Sequence, residues 1–137
     1  NKDLKNNTSI EIPSITNFFM LFSDLKNKSV NKNLIKSLKK YCKNENYLFP
    51  SINSRHKSFE EKRYWRGPVW INCNWIIYQG LKNKDKSFAE MIRKKTINLV
   101  EKKKFREYYS CKSGLGMGAK NFSWSAALYL DFVLNRS

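Results

Sequence analysis

Tyr64, Trp65, Arg66, Gly67, Pro68, Val69, Trp70, Ile71, Asn72, Cys73, Asn74 and Trp75 follow one another without a break, and the run combines three tryptophans, an arginine and two asparagines. The same mixture returns at Glu107, Tyr108 and Tyr109. Aromatic planes interleaved with polar groups are what a sugar needs: the weakly apolar C–H faces of the ring lie on aromatic rings, and its hydroxyls require directed hydrogen bonds from Asn, Gln and Arg. Each residue also has a plainer reading. Trp65, Trp70 and Trp75 at helical spacing fit a packed core, although Trp65 stands ahead of the helix and favours a pocket. Arg66 fits a pairing with Glu60 or Glu61. Glu107 follows a run of lysines, where an isolated carboxylate is ordinarily a solvated charge.

The elements that must position these residues are helical. Pro13 and Ser14 precede apolar residues at helical spacing through Leu25, which predicts a helix from about Ser14 to Lys26. A second amphipathic stretch runs from Lys32 through Leu34, Ile35, Leu38 and Tyr41 and should end near Asn44. Tyr47 to Tyr64 has no clear period and reads as a long loop, a common home for function. Pro68 suits a first helical turn, and the nearly continuous apolar content of Val69 to Leu81 predicts a helix buried on almost all sides. Asp85 is a candidate cap for a half-wet helix reaching Val100, and Ser123 for a last helix through Leu134. The stretch Ser113 to Lys120, with Gly114, Gly116 and Gly118, reads as a tight turn that lets the backbone bearing Glu107 come close to a pocket rim. It is not a phosphate cradle, because no strand leads into it and no Lys-Ser/Thr pair ends it. No strand pattern is evident anywhere, so the fold class is all-α. Alternation of fully apolar with amphipathic helices suggests concentric rings of helices.

Composition narrows the function classes. The 137 residues are one domain's length, and a compact chain of that size buries roughly two-thirds of its unfolded surface. The opening on Asn1 with no apolar signal stretch suggests a piece of a longer chain. The net charge of +16 would favour polyanions, but it comes mostly from lysines scattered among asparagines, as in Lys26-Asn27-Lys28, Lys32-Asn33 and Lys82-Asn83-Lys84. Cys42, Cys73 and Cys111 form no Cys-x-x-Cys pair and leave an odd one over, which argues against a disulfide framework or zinc site and for a reducing, cytoplasmic setting. They read as buried apolar residues, and His56 as part of the loop's hydrogen bonding; no metal and no cofactor are assigned. No apolar run approaches the eighteen or so residues of a membrane span, so no membrane partner is expected.

Four motifs together, Tyr64 to Asn72, Phe105 to Tyr109, Gly114-Leu115-Gly116, and Phe122-Ser123-Trp124-Ser125-Ala126-Ala127-Leu128, resemble in order and spacing the C-terminal part of glycoside hydrolase family 63. The likeness is strongest to the branch of mannosylglycerate and glucosylglycerate hydrolases, covers nearly the whole chain, and extends to Ile12-Pro13-Ser14 and Phe49-Pro50-Ser51. It implies that residues 1–137 are a partial catalytic domain, the C-terminal part of an α/α toroid of six helix hairpins. The missing N-terminal part of that domain would then be the chain's partner. It also implies inverting hydrolysis of an α-glycosidic bond in a small glycoside or oligosaccharide, in which an acid protonates the leaving oxygen and a second carboxylate activates water on the opposite face.

The family's general base falls on Glu107. Its substrate-contacting segment falls on Trp65, Arg66, Gly67, Pro68 and Trp70, with Tyr64 alongside. Tyr64 and Trp65 then form a stacking wall, Arg66 donates to hydroxyls or an acidic aglycone, Asn72 is a polar contact or loop clamp, Tyr108 adjoins the base, and Trp124 closes the far side. One departure is as informative: none of Asp3, Asp24, Asp85 or Asp131 stands in the setting of the family's general acid, so the chain would carry half of a two-carboxylate device and lack activity alone. Such a piece should also expose apolar surface where missing hairpins would pack. Two other readings compete, a basic helical module binding nucleic acid through lysines and stacked rings, and a noncatalytic sugar-binding relic.

Overall fold

Ser14 opens the first helical segment in extended backbone, and its side chain accepts from the Thr16 N–H. The computed structural model describes residues 2–9, 11–23 and 26–134. Two minimal strands, β1 (Lys2–Asp3) and β2 (Thr8–Ser9), pair antiparallel ahead of this point. The segment Ile15–Phe22 is a 3₁₀ helix rather than the expected α-helix, and it buries Ile15, Phe18 and Leu21. Three residues per turn put those side chains in one row, which suits a short segment lying along a neighbouring helix. Asp24 and Leu25, which the sequence placed in this helix, lie outside the described residues.

Helix α1 (Lys28–Tyr41) starts a turn earlier than its apolar period suggested, because the Asn27 side chain caps it by accepting from the Val30 N–H, and it ends at Tyr41 rather than near Asn44. Helix α2 (Ile71–Leu81) is the centre of the molecule. It packs against the 3₁₀ segment and against helices α3 (Lys86–Lys103) and α4 (Ser123–Leu134), and none of its residues is exposed. That is the inner-helix environment expected from its apolar content. Its one fully buried amide, Asn74, donates to Thr96 Oγ1 at 3.1 Å, and Thr96 donates on to the Ile92 carbonyl at 2.8 Å, a short relay that leaves the buried Asn74 Oδ1 without a hydrogen bond. Arg93 on α3 gives its Nε–H to the Phe132 carbonyl at 2.7 Å, a cation at the last turn of α4 that suits both the orphan carbonyls and the helix dipole.

The expected absence of strands is corrected by a second hairpin. Strand β3 (Arg106–Tyr109) pairs antiparallel with β4 (Gly116–Lys120), so two of the three glycines assigned to a tight turn, Gly116 and Gly118, are strand residues. Isolated antiparallel bridges extend this pairing: Val69 bridges Tyr109, Pro50 bridges Val69, and Ser14 bridges Ile52. The segment read as a featureless loop is therefore threaded through an irregular backbone strip at one end of the helices. Tyr41 fixes it, donating to the carbonyls of Pro50 at 2.8 Å and Pro13 at 3.3 Å, while Ser51 Oγ donates to the Pro68 carbonyl at 2.6 Å. Period-based reading missed the strip because its pairs are single residues set by turns and not by alternation.

Two consequences can be measured. A Cβ added at Gly80 would sit 2.6 Å from the Leu21 carbonyl carbon and 2.7 Å from Phe22 N, both backbone atoms. Glycine to alanine inside a helix normally stabilises by roughly 0.5–1 kcal/mol, but Gly80→Ala should instead lower stability in urea unfolding by about 1–3 kcal/mol through overpacking. Asp85 caps α3 by accepting from the Phe88 N–H and is ion-paired to Lys39 at 2.6 Å. The hydrogen bond from Lys39, helped by that backbone N–H and opposed by desolvation, holds its carboxyl below the ordinary 3.8. A carboxyl depressed in the folded state stabilises above its unfolded value and loses that contribution as pH falls through the folded one. Asp85→Ala should therefore cost about 1 kcal/mol near neutral pH, and the gap from wild type should narrow once pH drops below about 4.

Candidate active site

Glu107 lies at the irregularity of the β3–β4 hairpin. Arg106 faces Lys120 and Tyr108 faces Met117, so two steps on β3 match three on β4, and Gly118 and Ala119 together oppose Glu107. This is a β-bulge, a device that leaves one residue out of the ladder and re-aims its groups. Gly118 takes a φ of +67°, and a Cβ there would stand 2.4 Å from Glu107 Oε2 and 2.7 Å from Glu107 Cβ. Freed from the ladder, the Ala119 N–H donates to Glu107 Oε2 at 3.0 Å. Arg106 Nη2 donates to the Gly118 carbonyl at 3.0 Å and keeps the bulge in shape.

The other carboxylate oxygen is met from across the site. Tyr64 Oη donates to Glu107 Oε1 at 3.3 Å. Desolvation first, then the charge of Glu107 and its hydrogen bond, push the Tyr64 phenol above its ordinary value, so it stays protonated as a donor. Tyr64 opens the short 3₁₀ turn Tyr64–Arg66 with a φ of +27°, an unusual value for a bulky residue. The conformation is held by Trp70 Nε1, which donates to the Tyr64 carbonyl at 3.4 Å, and by the loop before it, where the Glu60 N–H donates to the Arg66 carbonyl at 2.9 Å.

Three further rings gather around this pair and make, with Tyr64, a cluster of four. Trp65 stacks on Trp70 with centroids 4.1 Å apart and planes 8° from parallel, and Trp70 continues to Tyr108 at 4.9 Å. Tyr64 meets Trp65, Trp70 and Tyr108 edge-on at 5.9, 4.8 and 5.5 Å. Trp70 is 2 % exposed while Trp65 is 43 % and Tyr64 49 % exposed, so Trp70 is the buried backing and the other two present their surfaces outward. An indole face beside a carboxylate gripped at both oxygens can seat a sugar ring and take a proton from water lying against it.

The remaining sequence candidates are placed differently. Arg66 does not contact Glu107; its guanidinium pairs with Glu60 at 3.0 Å and its Nε–H reaches the Ser58 carbonyl at 3.4 Å, with Arg63 on the same Glu60 oxygen at 3.1 Å. Gly67 is buried, and a Cβ there would lie 2.1 Å from the Glu60 carbonyl oxygen, so it allows the loop to close on itself. Asn72 is half-buried in the first turn of α2. Trp124 is 44 % exposed at the start of α4, where its ring meets Phe122 at 6.2 Å rather than the four-ring cluster. His56 Nδ1 accepts from the Ser58 N–H, within the loop. Cys73 and Cys111 are buried, and desolvation lifts both thiols to about 12, far from a nucleophile's range.

Sequence reasoning missed Gly118 and Ala119 as the immediate neighbours of the Glu107 carboxylate, and Ser110, which donates to Glu61 and ties the hairpin to the loop ahead of Tyr64. The Gly-x-Gly spacing beside Glu107 was the available signal. A cavity of about 580 Å³ lies apart from these residues, among Lys28, Lys32, Ile35, Lys39 and Lys84 on α1 and the turn after α2. The aromatic site is thus an open wall. Among the described residues no helix is long and apolar enough to cross a membrane.

Comparison with known proteins accounts for that openness. Over 131 residues the chain is 36% identical to mannosylglycerate hydrolase of Thermus thermophilus, an alignment covering 93% of this chain and 31% of that protein. It is 33% identical to mannosylglycerate hydrolase MGH1 of Selaginella moellendorffii, covering 89% of this chain and 26% of the relative. The crystal structure of a GH63 mannosylglycerate hydrolase from Thermus thermophilus in complex with Tris and D-glycerate superposes with a TM-score of 0.88 at 34% identity, over 97% of this chain and 32% of that one. The chain spans about a third of the length of these relatives, and its helices have the arrangement of one part of their α/α toroid. Residues 1–125 match the model of the mannosylglycerate hydrolase MGH1-like glycoside hydrolase domain, and the chain belongs to that family of glycoside hydrolases.

Proposed function

We propose that the protein cleaves an α-glycosidic bond in a small glycoside of the mannosylglycerate or glucosylglycerate kind, or in an oligosaccharide, with inversion, and that residues 1–137 supply the general base and one wall of the sugar site. The observation that carries this reading is the grip on Glu107, one oxygen held by the Tyr64 phenol and the other by the Ala119 N–H, beside the exposed indole of Trp65. In the step proposed, a water on the open side of Glu107 gives a proton to the carboxylate. Its oxygen bonds to the anomeric carbon, and the glycosidic electron pair leaves with the aglycone oxygen, which is protonated by an acid. That acid belongs to residues outside this chain. Asp85 is committed to a helix cap and Lys39, and Asp131 accepts from Trp75 Nε1 at 2.6 Å and Gln79 at 3.2 Å. The missing acid fits an alignment that covers only 31% of its Thermus relative.

The reading as a basic nucleic-acid module is weakened by the same geometry. A carboxylate next to the stacking rings would repel phosphates where bases would have to stack, and the lysine-lined groove lies elsewhere. Arg66 remains the candidate for an acidic aglycone, in exchange for Glu60.

In the full-length protein, Glu107→Gln should lower turnover by roughly 10²- to 10⁴-fold while sugar binding, followed by calorimetry, stays close to wild type. Retention of turnover by Glu107→Gln would remove the assignment, and binding of polynucleotide that collapses with salt and survives the substitution would favour the basic module. Gly118→Ala puts a methyl against the carboxylate and a side chain at φ +67°, so kcat should fall at least about tenfold with the helical circular dichroism unchanged.

A further inference from the structure

Tyr64 was assigned above to the wall on which a sugar stacks, yet its geometry suits a second task. Its ring stands nearly perpendicular to those of Trp65, Trp70 and Tyr108, and its hydroxyl donates to Glu107. The backbone carries a φ of +27° to achieve this, a conformation that costs on the order of 1–3 kcal/mol in a non-glycine residue and persists only where surrounding contacts over-determine it. A residue needed only as a stacking surface would not require that conformation, since Trp65, itself 43 % exposed, already offers an indole for stacking.

We propose that Tyr64 is a positioning residue for Glu107, its phenol holding Oε1 toward the attacking water while the bulge N–H of Ala119 holds Oε2. The proposal rests on Glu107 being the base. Oε2 is tied to the strand, so Oε1 is the oxygen that faces the rings, and without the phenol the carboxylate could turn about its last bond and present neither oxygen at a fixed place. The phenol keeps its proton throughout: the water O–H breaks, its proton bonds to the carboxylate, and the Tyr64 O–H still donates. The distance of 3.3 Å is long for an O–H···O contact, as is common where no substrate is bound, and it should shorten in the substrate complex.

Two measurements on the full-length protein test this. Tyr64→Phe deletes the hydroxyl and keeps the ring, so kcat should fall roughly 10- to 100-fold, the range for losing a hydrogen bond to a charged group, with KM changed less than about threefold. A raised KM with unchanged kcat would make Tyr64 a sugar platform only and overturn the proposal. If Glu107→Gln abolishes turnover while Tyr64→Phe leaves it intact, the positioning role fails and the base assignment stands. If neither substitution affects kcat, the base assignment itself fails and the proposal goes with it. The second measurement needs no activity. The titratable groups acting on the Tyr64 phenol are Glu107 and Tyr108, both on β3. Its ionisation, obtained as the difference in phenolate absorbance between wild type and Tyr64→Phe, should occur above the ordinary 10.0 and move down, toward that value, in Glu107→Gln. A phenol titration that Glu107→Gln does not move would show that the contact does not form in solution, which overturns the proposal.

Discussion

The site depends on a strip of antiparallel backbone pairs that crosses the end of the helices: Ser14 with Ile52, Pro50 with Val69, Val69 with Tyr109, and Tyr109 with Gly116. Val69 is the middle of it. Its N–H donates to the Tyr109 carbonyl at 2.7 Å and its carbonyl receives the return bond from Tyr109 at 2.9 Å, which sets the start of α2 against the end of β3. Since Val69 directly precedes Trp70 and Tyr109 follows Tyr108, this single reciprocal pair places both aromatic pairs of neighbours side by side, and with them Glu107. Both residues are fully buried, so opening the pair would expose its polar groups to an apolar core without replacement. The position of the carboxylate relative to the indoles is therefore fixed by main-chain bonds, the least adjustable kind in the molecule.

On that frame the carboxylate is held by two donors of different origin. The Ala119 N–H belongs to the same hairpin and is available only because the bulge removes it from the ladder, while the Tyr64 hydroxyl arrives from a turn more than forty positions earlier. A group held from both sides loses rotational freedom, which is what the proposed role of Glu107 as a base requires. Neither donor is a cation, so the carboxylate is fixed in direction by neutral groups. Arg63 and Arg66, which flank the wall in sequence, are instead kept by Glu60.

How much of this was legible in the sequence varies with how local the signal is. Helix starts were read well where a capping side chain announces them, as at Ser14 and Asp85, and the deep burial of α2 followed from its composition. The aromatic cluster was legible because Tyr64, Trp65 and Trp70 are neighbours, whereas Glu107 was singled out by the family resemblance and not by its own surroundings in the sequence. What could not be read were features made by distant segments. The bridges at Pro50 and Ser14 involve one residue each and leave no alternation, and the hairpin hides its period in glycines that have no side chain to alternate. The 3₁₀ segment Ile15–Phe22 also lies against Gly80, far along the chain, whose bare Cα lets the two backbones touch. Arg66 illustrates the converse, since its pairing with Glu60 was one of two readings that sequence left open.

Backbone irregularity is concentrated where the site needs it. Of the four described non-glycine residues with positive φ, Asn7 and Asn121 are of the type that tolerates the left-handed region, whereas Tyr64 and Lys104 are not. Lys104 ends α3 with a φ of 65° and turns the chain directly into β3, and its carbonyl is held by the Tyr109 hydroxyl at 2.7 Å, an oxygen that also accepts from the Arg106 N–H at 3.1 Å. The two strained residues thus aim the two halves of one contact, Lys104 the strand that bears Glu107 and Tyr64 the hydroxyl that meets it. Each strain on its own would relax at small cost to the core, because neither residue is buried. They are kept by a shared set of bonds, from Trp70 Nε1 to the Tyr64 carbonyl and from Tyr109 to Lys104, and those bonds converge on the same Val69–Tyr109 pair that seats the site.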